Sequence, residues 1–217
     1  MGSWQEVEST VRDCHALLKQ ADNINESGDE RDLAFLIDRI TEAFQKAMPE
    51  HPCRMGCPGE GENCCHHPEG FRITSAEWGS IRRHLLGMPP EKRTSFKERA
   101  EAILSHHPQL PSLERLWSSG YRVPLADRAC PFLYQNVCQV YPVRPLVCRA
   151  YGFFVHIQQG ERTLSCCEEV SRKFQGEARE GILIPVLNRF FKRLARIQAD
   201  VRMAPIAYWI FFEGWGE

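Results

Sequence analysis

The chain of 217 residues is 43% apolar and 25% charged, with 15 Gly and 14 Pro, a composition that excludes disordered, collagenous and coiled-coil classes. Its 27 Lys and Arg against 28 Asp and Glu leave a formal charge of -1, without the basic footprint of a general nucleic-acid binder. Ten cysteines stand out, too few for a disulfide scaffold and too many for an ordinary enzyme, so the chemistry is to be sought in the thiols.

In chain order, residues 4–20 place Val7, Val11, Ala16 and Leu17 along a modestly amphipathic helix, and residues 22–30, DNINESGDE, read as a polar loop. Over 30–48, Leu33, Leu36, Ile37, Ile40 and Phe44 keep a helical period that Pro49 ends, predicting a helix with one buried stripe. Between His51 and His67 the period gives way to Gly, Pro, Cys and His. Thr74-Ser75-Ala76-Glu77 then has the form of a capping box, opening a helix to about Leu86 that buries Trp78, Ile81 and Leu85. Pro89-Pro90 breaks it, and Pro90 suits the first position of a helix over about 90–105.

After a loop with Pro108 and Pro111, a second cysteine region runs from Cys130 to Cys167. Inside it, the aromatic and β-branched run Tyr151–Ile157, the turn residues Gln158-Gln159-Gly160 and the segment Arg162–Leu164 predict a short β-hairpin near 151–165. Helical period returns over 178–201 through Ile182, Val186, Leu187, Phe190, Leu194, Ile197 and Val201, with the regular part beginning at Pro185. A last aromatic helix is expected near 204–214, carrying Ile206, Tyr208, Trp209, Phe211 and Phe212. The fold class is therefore mainly α, with helices packed around a loop-rich, cysteine-lined metal centre. The chain reads as an N-terminal helical extension at 1–49, a cysteine-cluster metal-binding domain at 50–170, and C-terminal helices at 171–217 packing on it as one globular unit.

No basic stretch followed by an apolar run opens the chain, and Glu6 stands where a myristoylation signal wants Ser or Thr. The most apolar stretch, near 203–212, is too short to span a bilayer and contains Pro205. The expectation is a cytoplasmic protein with no membrane and no nucleic-acid partner. In a reducing cytosol, abundant cysteine points to metal rather than to disulfides.

The cysteines fall into two blocks, Cys53-x3-Cys57-x6-Cys64-Cys65 and Cys130-x7-Cys138-x9-Cys148, the second followed by Cys166-Cys167. Thiolates in sets of four bind zinc or iron–sulfur clusters, and converging several sulfurs needs irregular backbone, which Gly56, Pro58, Gly59 and Gly61 supply. The spacing matches neither a zinc-finger double knuckle nor the ferredoxin runs, so the metal stays open between Zn2+ and an iron–sulfur cluster of the four-iron kind. Neither block shows a closed four-ligand spacing of its own, so the two are expected to meet in space. Cys64 and Cys65 are adjacent and point apart, which suits either two centres or one ligand between them. His66 and His67 either complete a Cys3His site or are exposed loop residues, and His106-His107 suits a helix C-terminus. Cys14, alone on the first helix, reads as a buried small hydrophobe.

At CPFLYQNVCQVYPVRPLVCRAYGF the chain resembles the YkgJ-type cysteine-cluster proteins, described as zinc- or iron-chelating domains. The matching residues are Cys53, Cys57, Cys64 and Cys65; Ile73-Thr74-Ser75-Ala76-Glu77; Cys130-Pro131-Phe132-Leu133; Cys138-Gln139-Val140-Tyr141; and Arg144-Pro145-Leu146-Val147-Cys148-Arg149. Cys166 or Cys167 fits the closing position, which is doubled here, and the gap from Cys57 to Cys64 is longer than the family pattern. The resemblance covers about residues 50–170 and implies metal ligation through these cysteines. The flagellin lysine methylase, which resembles an iron–sulfur enzyme, has related cysteine patterning, and this implies an enzymatic alternative.

A zinc ion or four-iron cluster held by four thiolates is anionic, and Arg144 and Arg149, flanking Cys148, are expected to offset that charge. Pro131, Pro142 and Pro145 stiffen the loops that carry the ligands. Three readings follow: a redox or structural metal module acting with a protein partner, an iron–sulfur enzyme acting on a substrate near the cluster, and a helical interaction protein stapled by metal. No nucleotide-binding glycine loop, G-x-S-x-G elbow or H-E-x-x-H occurs, so no recognised catalytic motif supports an enzyme. Arg189, Lys192, Arg193 and Arg196 form a basic stripe opposite Leu187, Phe190 and Leu194, read as the solvated face of an amphipathic helix.

Overall fold

A computed structural model gives the fold over residues 4–24, 30–47, 65, 71–105, 112–115, 129–135, 137–158, 161–164, 185–197 and 202–215. In chain order the elements are α1 (Trp4–Ile24), α2 (Glu30–Ala47), β1 (Arg72–Thr74), α3 (Ser75–Leu86) and α4 (Pro90–Leu104). They continue with β2 (Leu133–Tyr134), β3 (Val137–Cys138), a 3-10 turn at Tyr141–Val143 and α5 (Leu146–Ala150). The last are β4 (Val155–Gln158), β5 (Glu161–Leu164), α6 (Leu187–Ile197), β6 (Met203–Pro205) and α7 (Ile206–Phe212). The described chain is mainly helical, with three short antiparallel strand pairs. It forms two compact units, each assembled from two separate stretches: 1–57 with 146–200, and 58–145 with 201–217.

In the first unit, α1 and α2 bury facing stripes. That of α2 is the predicted one: Leu33, Leu36, Ile37, Ile40 and Phe44. On α1 the buried positions are Val7, Val11, Cys14 and Leu18, alternating steps of four and three, while Ala16 and Leu17 turn to solvent. The helical repeat explains the difference, because Cys14 and Leu18 share the face of Val7 and Val11 and Leu17 does not. Helix α1 also runs to Ile24, three residues into the segment expected to be loop. Leu187, Phe190 and Leu194 of α6 and Leu146 and Ala150 of α5 complete this core, with Phe154 edge-on to Phe190 at 5.5 Å.

The predicted hairpin is present as β4 and β5, in register Val155↔Leu164 to Gln158↔Glu161. It begins later than the aromatic run suggests, because Tyr151–Phe153 form a turn in which Gly152 takes φ 91°, a conformation that favours glycine. The outer edge of β4 is partly closed by the approach to α6: Val155 N–H donates to the Pro185 carbonyl at 3.0 Å, and the Asn188 amide bonds both backbone groups of Ile157, at 2.7 and 2.9 Å. Pairing an edge this way removes a template for aggregation. Arg189, Lys192 and Arg196 are exposed as expected, but Arg193 is buried in the same face as Leu194, so the basic stripe is narrower than the sequence implied.

The second unit is organised by β1 and β6, which pair antiparallel with Ile73 opposite Ala204. At the end of β1 the capping box forms: Glu77 N–H donates to Thr74 Oγ1 at 3.2 Å, and Thr74 N–H donates to Glu77 Oε2 at 2.7 Å. This satisfies two orphan donors of α3 and fixes where strand becomes helix. Residues 203–205 belong to β6, so the last helix starts at Ile206. Helix α7 packs its buried Ile206, Tyr208, Trp209 and Ile210 in one core with Phe96, Ala100, Ile103 and Leu104 of α4. Trp209 stacks on Trp78 at 6.4 Å and donates from Nε1 to the Ile73 carbonyl at 3.0 Å, joining α7, α3 and β1. Among the described residues, no helix is long and apolar enough to cross a membrane.

Candidate metal centre

The second unit brings together thiols from both cysteine blocks. Cys130 N–H donates to the Cys65 carbonyl at 2.6 Å, so the end of the first block lies against the start of the second. From Cys130 the chain turns, with Leu133 N–H donating to the Cys130 carbonyl at 2.9 Å. It then folds back through the β2–β3 hairpin, which sets Leu133 opposite Cys138. Gln139 N–H closes the loop on the Phe132 carbonyl at 2.9 Å. Phe132 is the anchor: fully buried, it meets Phe96 of α4 edge-on at 5.4 Å. Cys130 and Cys138 are partly buried and pack against the core of this unit.

The electrostatics of the two hairpin thiols are set first by burial, with the neighbouring cysteines adding to it. Burial pushes the Cys130 thiol well above the ordinary range, and the neighbouring Cys65 and Cys138 raise it further, against the opposing pull of the Phe132 N–H and the Arg99 charge. Burial likewise pushes Cys138 up to about 11, with Cys65 adding to the rise and the Val140 N–H and Arg144 opposing it. Thiols placed this way keep their protons at neutral pH unless a cation stands among them, and a coordinating cation deprotonates them outright. The donor chemistry therefore fits zinc or an iron–sulfur cluster, both of which take thiolate ligands. Among the described residues, no group of three or more His, Cys, Asp or Glu side chains is arranged to hold a metal ion, Cys65, Cys130 and Cys138 included.

Cys148 lies in the first unit, on α5, where the sequence suggested a proline-stiffened loop. Arg149 beside it pairs through Nη1 with Asp38 of α2, so the partner found for this arginine is a carboxylate that fastens α5 to α2. Arg144 stands over the Tyr141 ring, 3.7 Å from its centroid, and its charge acts on Cys138. Arg144, one of the two arginines expected to offset thiol charge, acts on the Cys138 thiol. Cys53, Cys57, Cys64, Cys166, Cys167, His66, His67, His106 and His107 lie outside the described residues. Cys14 is fully buried on α1, its thiol raised by burial and directed at the Leu36 carbonyl at 3.7 Å, as expected of a core residue.

Sequence reasoning missed Arg99. It sits on α4 among charged neighbours and belongs to no motif, yet its Nη1 donates to the carbonyls of Pro131 at 3.3 Å and Leu133 at 2.6 Å, inside the cysteine loop.

The fold and the thiols define a helical cysteine-cluster protein. The CxxCxxCC family, described as “Putative zinc- or iron-chelating domain”, matches over residues 52–168, more than half of the chain, and the chain belongs to that family. The vicinal Cys64-Cys65 pair of the family's pattern is kept, whereas the gaps before it are longer here. Membership supports metal binding, by zinc or iron. No curated protein and no solved structure matches the chain.

Proposed function

We propose that the chain is a metal-binding module that ligates zinc or an iron–sulfur cluster through both cysteine blocks and acts, as a redox or structural element, with a protein partner in the reducing cytoplasm. The ligands are drawn from Cys53, Cys57, Cys64 and Cys65 of the first block and Cys130, Cys138, Cys148 and Cys166 or Cys167 of the second. The observation that carries this reading is that the Cys130 N–H bonds the Cys65 carbonyl, joining the two cysteine blocks beside the hairpin that holds Cys138. Bound zinc would cross-link the loops, and a bound cluster would add one-electron transfer. Cys130 and Cys138 pack against the core that holds Phe132 and Val140, and the Arg144 charge acts on Cys138.

The test is anaerobic purification of the whole chain, followed by elemental analysis for iron, zinc and acid-labile sulfide and a visible spectrum. Stoichiometric metal that falls in Cys65→Ser, Cys130→Ser and Cys138→Ser is the expected result. Protein that carries no metal and takes up neither added zinc nor reconstituted cluster overturns the reading.

A further inference from the structure

The cysteine loop is weakly held by its own backbone. Strands β2 and β3 contribute two residues each, and a small isolated hairpin of this kind is marginal in water. Gln135 in its turn takes φ 47°, the left-handed region that costs a non-glycine residue energy. Yet the loop must present Cys130 and Cys138 in a defined relation if it is to ligate metal.

The support comes from α4. The Arg99 guanidinium bonds the loop at two backbone carbonyls. Its Nη1 holds the Pro131 carbonyl, next in the chain to Cys130, and the Leu133 carbonyl, on the residue paired with Cys138. Its Nη2 donates to Ser95 Oγ at 3.0 Å one turn back on the same helix, which orients the plane. The Phe96 and Tyr134 rings lie 5.9 and 5.2 Å from its central carbon. A planar group anchored at three points is a rigid spacer, unlike a lysine, which offers a point charge on a flexible stem.

We propose that Arg99 is a positioning residue for the metal ligands, setting the separation of Cys130 and Cys138 by holding the Pro131 and Leu133 carbonyls on α4. This rests on the thiolate reading above. Outer residues that orient metal ligands typically contribute about 10- to 100-fold in metal affinity. Arg99 acts here through the backbone of the ligand loop.

Cobalt(II) is the probe, because its thiolate charge-transfer and d–d bands report both occupancy and geometry. The reduced full-length chain is titrated with Co2+ in competition with a chelator. Arg99→Met and Arg99→Lys should both bind about 10- to 100-fold more weakly, with a displaced d–d envelope, while the circular dichroism of the metal-free protein is retained. Lys97→Met, which removes an exposed charge from the same helix, should match wild type. Wild-type spectra and affinity in both Arg99 variants, full rescue by lysine, or an equal loss in Lys97→Met would each overturn the proposal. If Arg99→Met fails to fold, Ser95→Ala decides: a smaller shift in the same direction supports the role, and an unchanged spectrum overturns it. A wild-type chain without any thiolate-to-cobalt band overturns the metal reading itself, which separates the two failures.

Discussion

Cys65 and Cys130, which belong to different cysteine blocks, are joined backbone to backbone by a 2.6 Å hydrogen bond from the Cys130 N–H to the Cys65 carbonyl. The bond brings a distant part of the chain to the loop whose other thiol, Cys138, feels the charge of Cys65. The contact is between backbones, not between sulfurs.

Removing one of these thiols should therefore be felt in metal content, not in the helical core. Cys130→Ser and Cys138→Ser are expected to lower bound metal per chain severalfold, measured by elemental analysis after gel filtration. Cys14→Ser should leave metal content unchanged. Because Cys14 is fully buried on α1, that variant should instead lose about 1 kcal/mol of stability in urea, the cost of burying a hydroxyl being partly offset by the Leu36 carbonyl that the thiol already faces.

The raised thiols set a pH dependence in the metal-free, reduced protein. Cys138 is pushed from 9.0 up to about 11, so the folded state prefers the neutral thiol and the unfolded chain ionises first. Its contribution to stability is complete below pH 9 and is lost as pH rises through about 11, with Cys130 acting in the same direction. The melting temperature should fall across that interval, and Cys138→Ser should flatten the fall. Metal affinity has the opposite sense: ligation expels protons, so zinc should bind more tightly at pH 8 than at pH 6, with proton release measurable by calorimetry in two buffers.

Metal should protect the loops from protease. Residues 51–67 contain almost no large apolar side chains to offset the roughly 1–2 kcal/mol per residue of backbone ordering, and structural metal supplies about 10–16 kcal/mol. Chelator-treated, reduced protein is expected to be cut within 51–67 and 130–138, while α2 and α6, which bury their own stripes, survive longer. Identical fragment patterns with metal demonstrably removed would count against this.

Thr74→Ala should cost about 1–2 kcal/mol, because it removes the side chain that accepts from Glu77 N–H at the start of α3. Urea denaturation followed by tryptophan fluorescence suits the measurement, since Trp78 and Trp209 stack in that core.

Much of this protein was legible in residue order. The helices α2, α3, α4 and α6 follow from apolar period and from local punctuation by Pro49, Thr74, Glu77 and Pro90, interactions within a few residues that do not wait for the rest of the fold. The thiol chemistry was legible for a different reason: cysteine in such number and spacing is rare without a metal to hold. Only the tertiary structure decided the rest. Strands β1 and β6 are three residues each, too short to carry a period, and exist because their edges meet across most of the chain. The turn around Gly152, the burial of Arg193 and the pairing of Arg149 with Asp38 depend on what lies opposite each residue. So does the hold of Arg99 on the cysteine loop, since a guanidinium's partners are chosen by where two segments come to rest, and no local pattern encodes that.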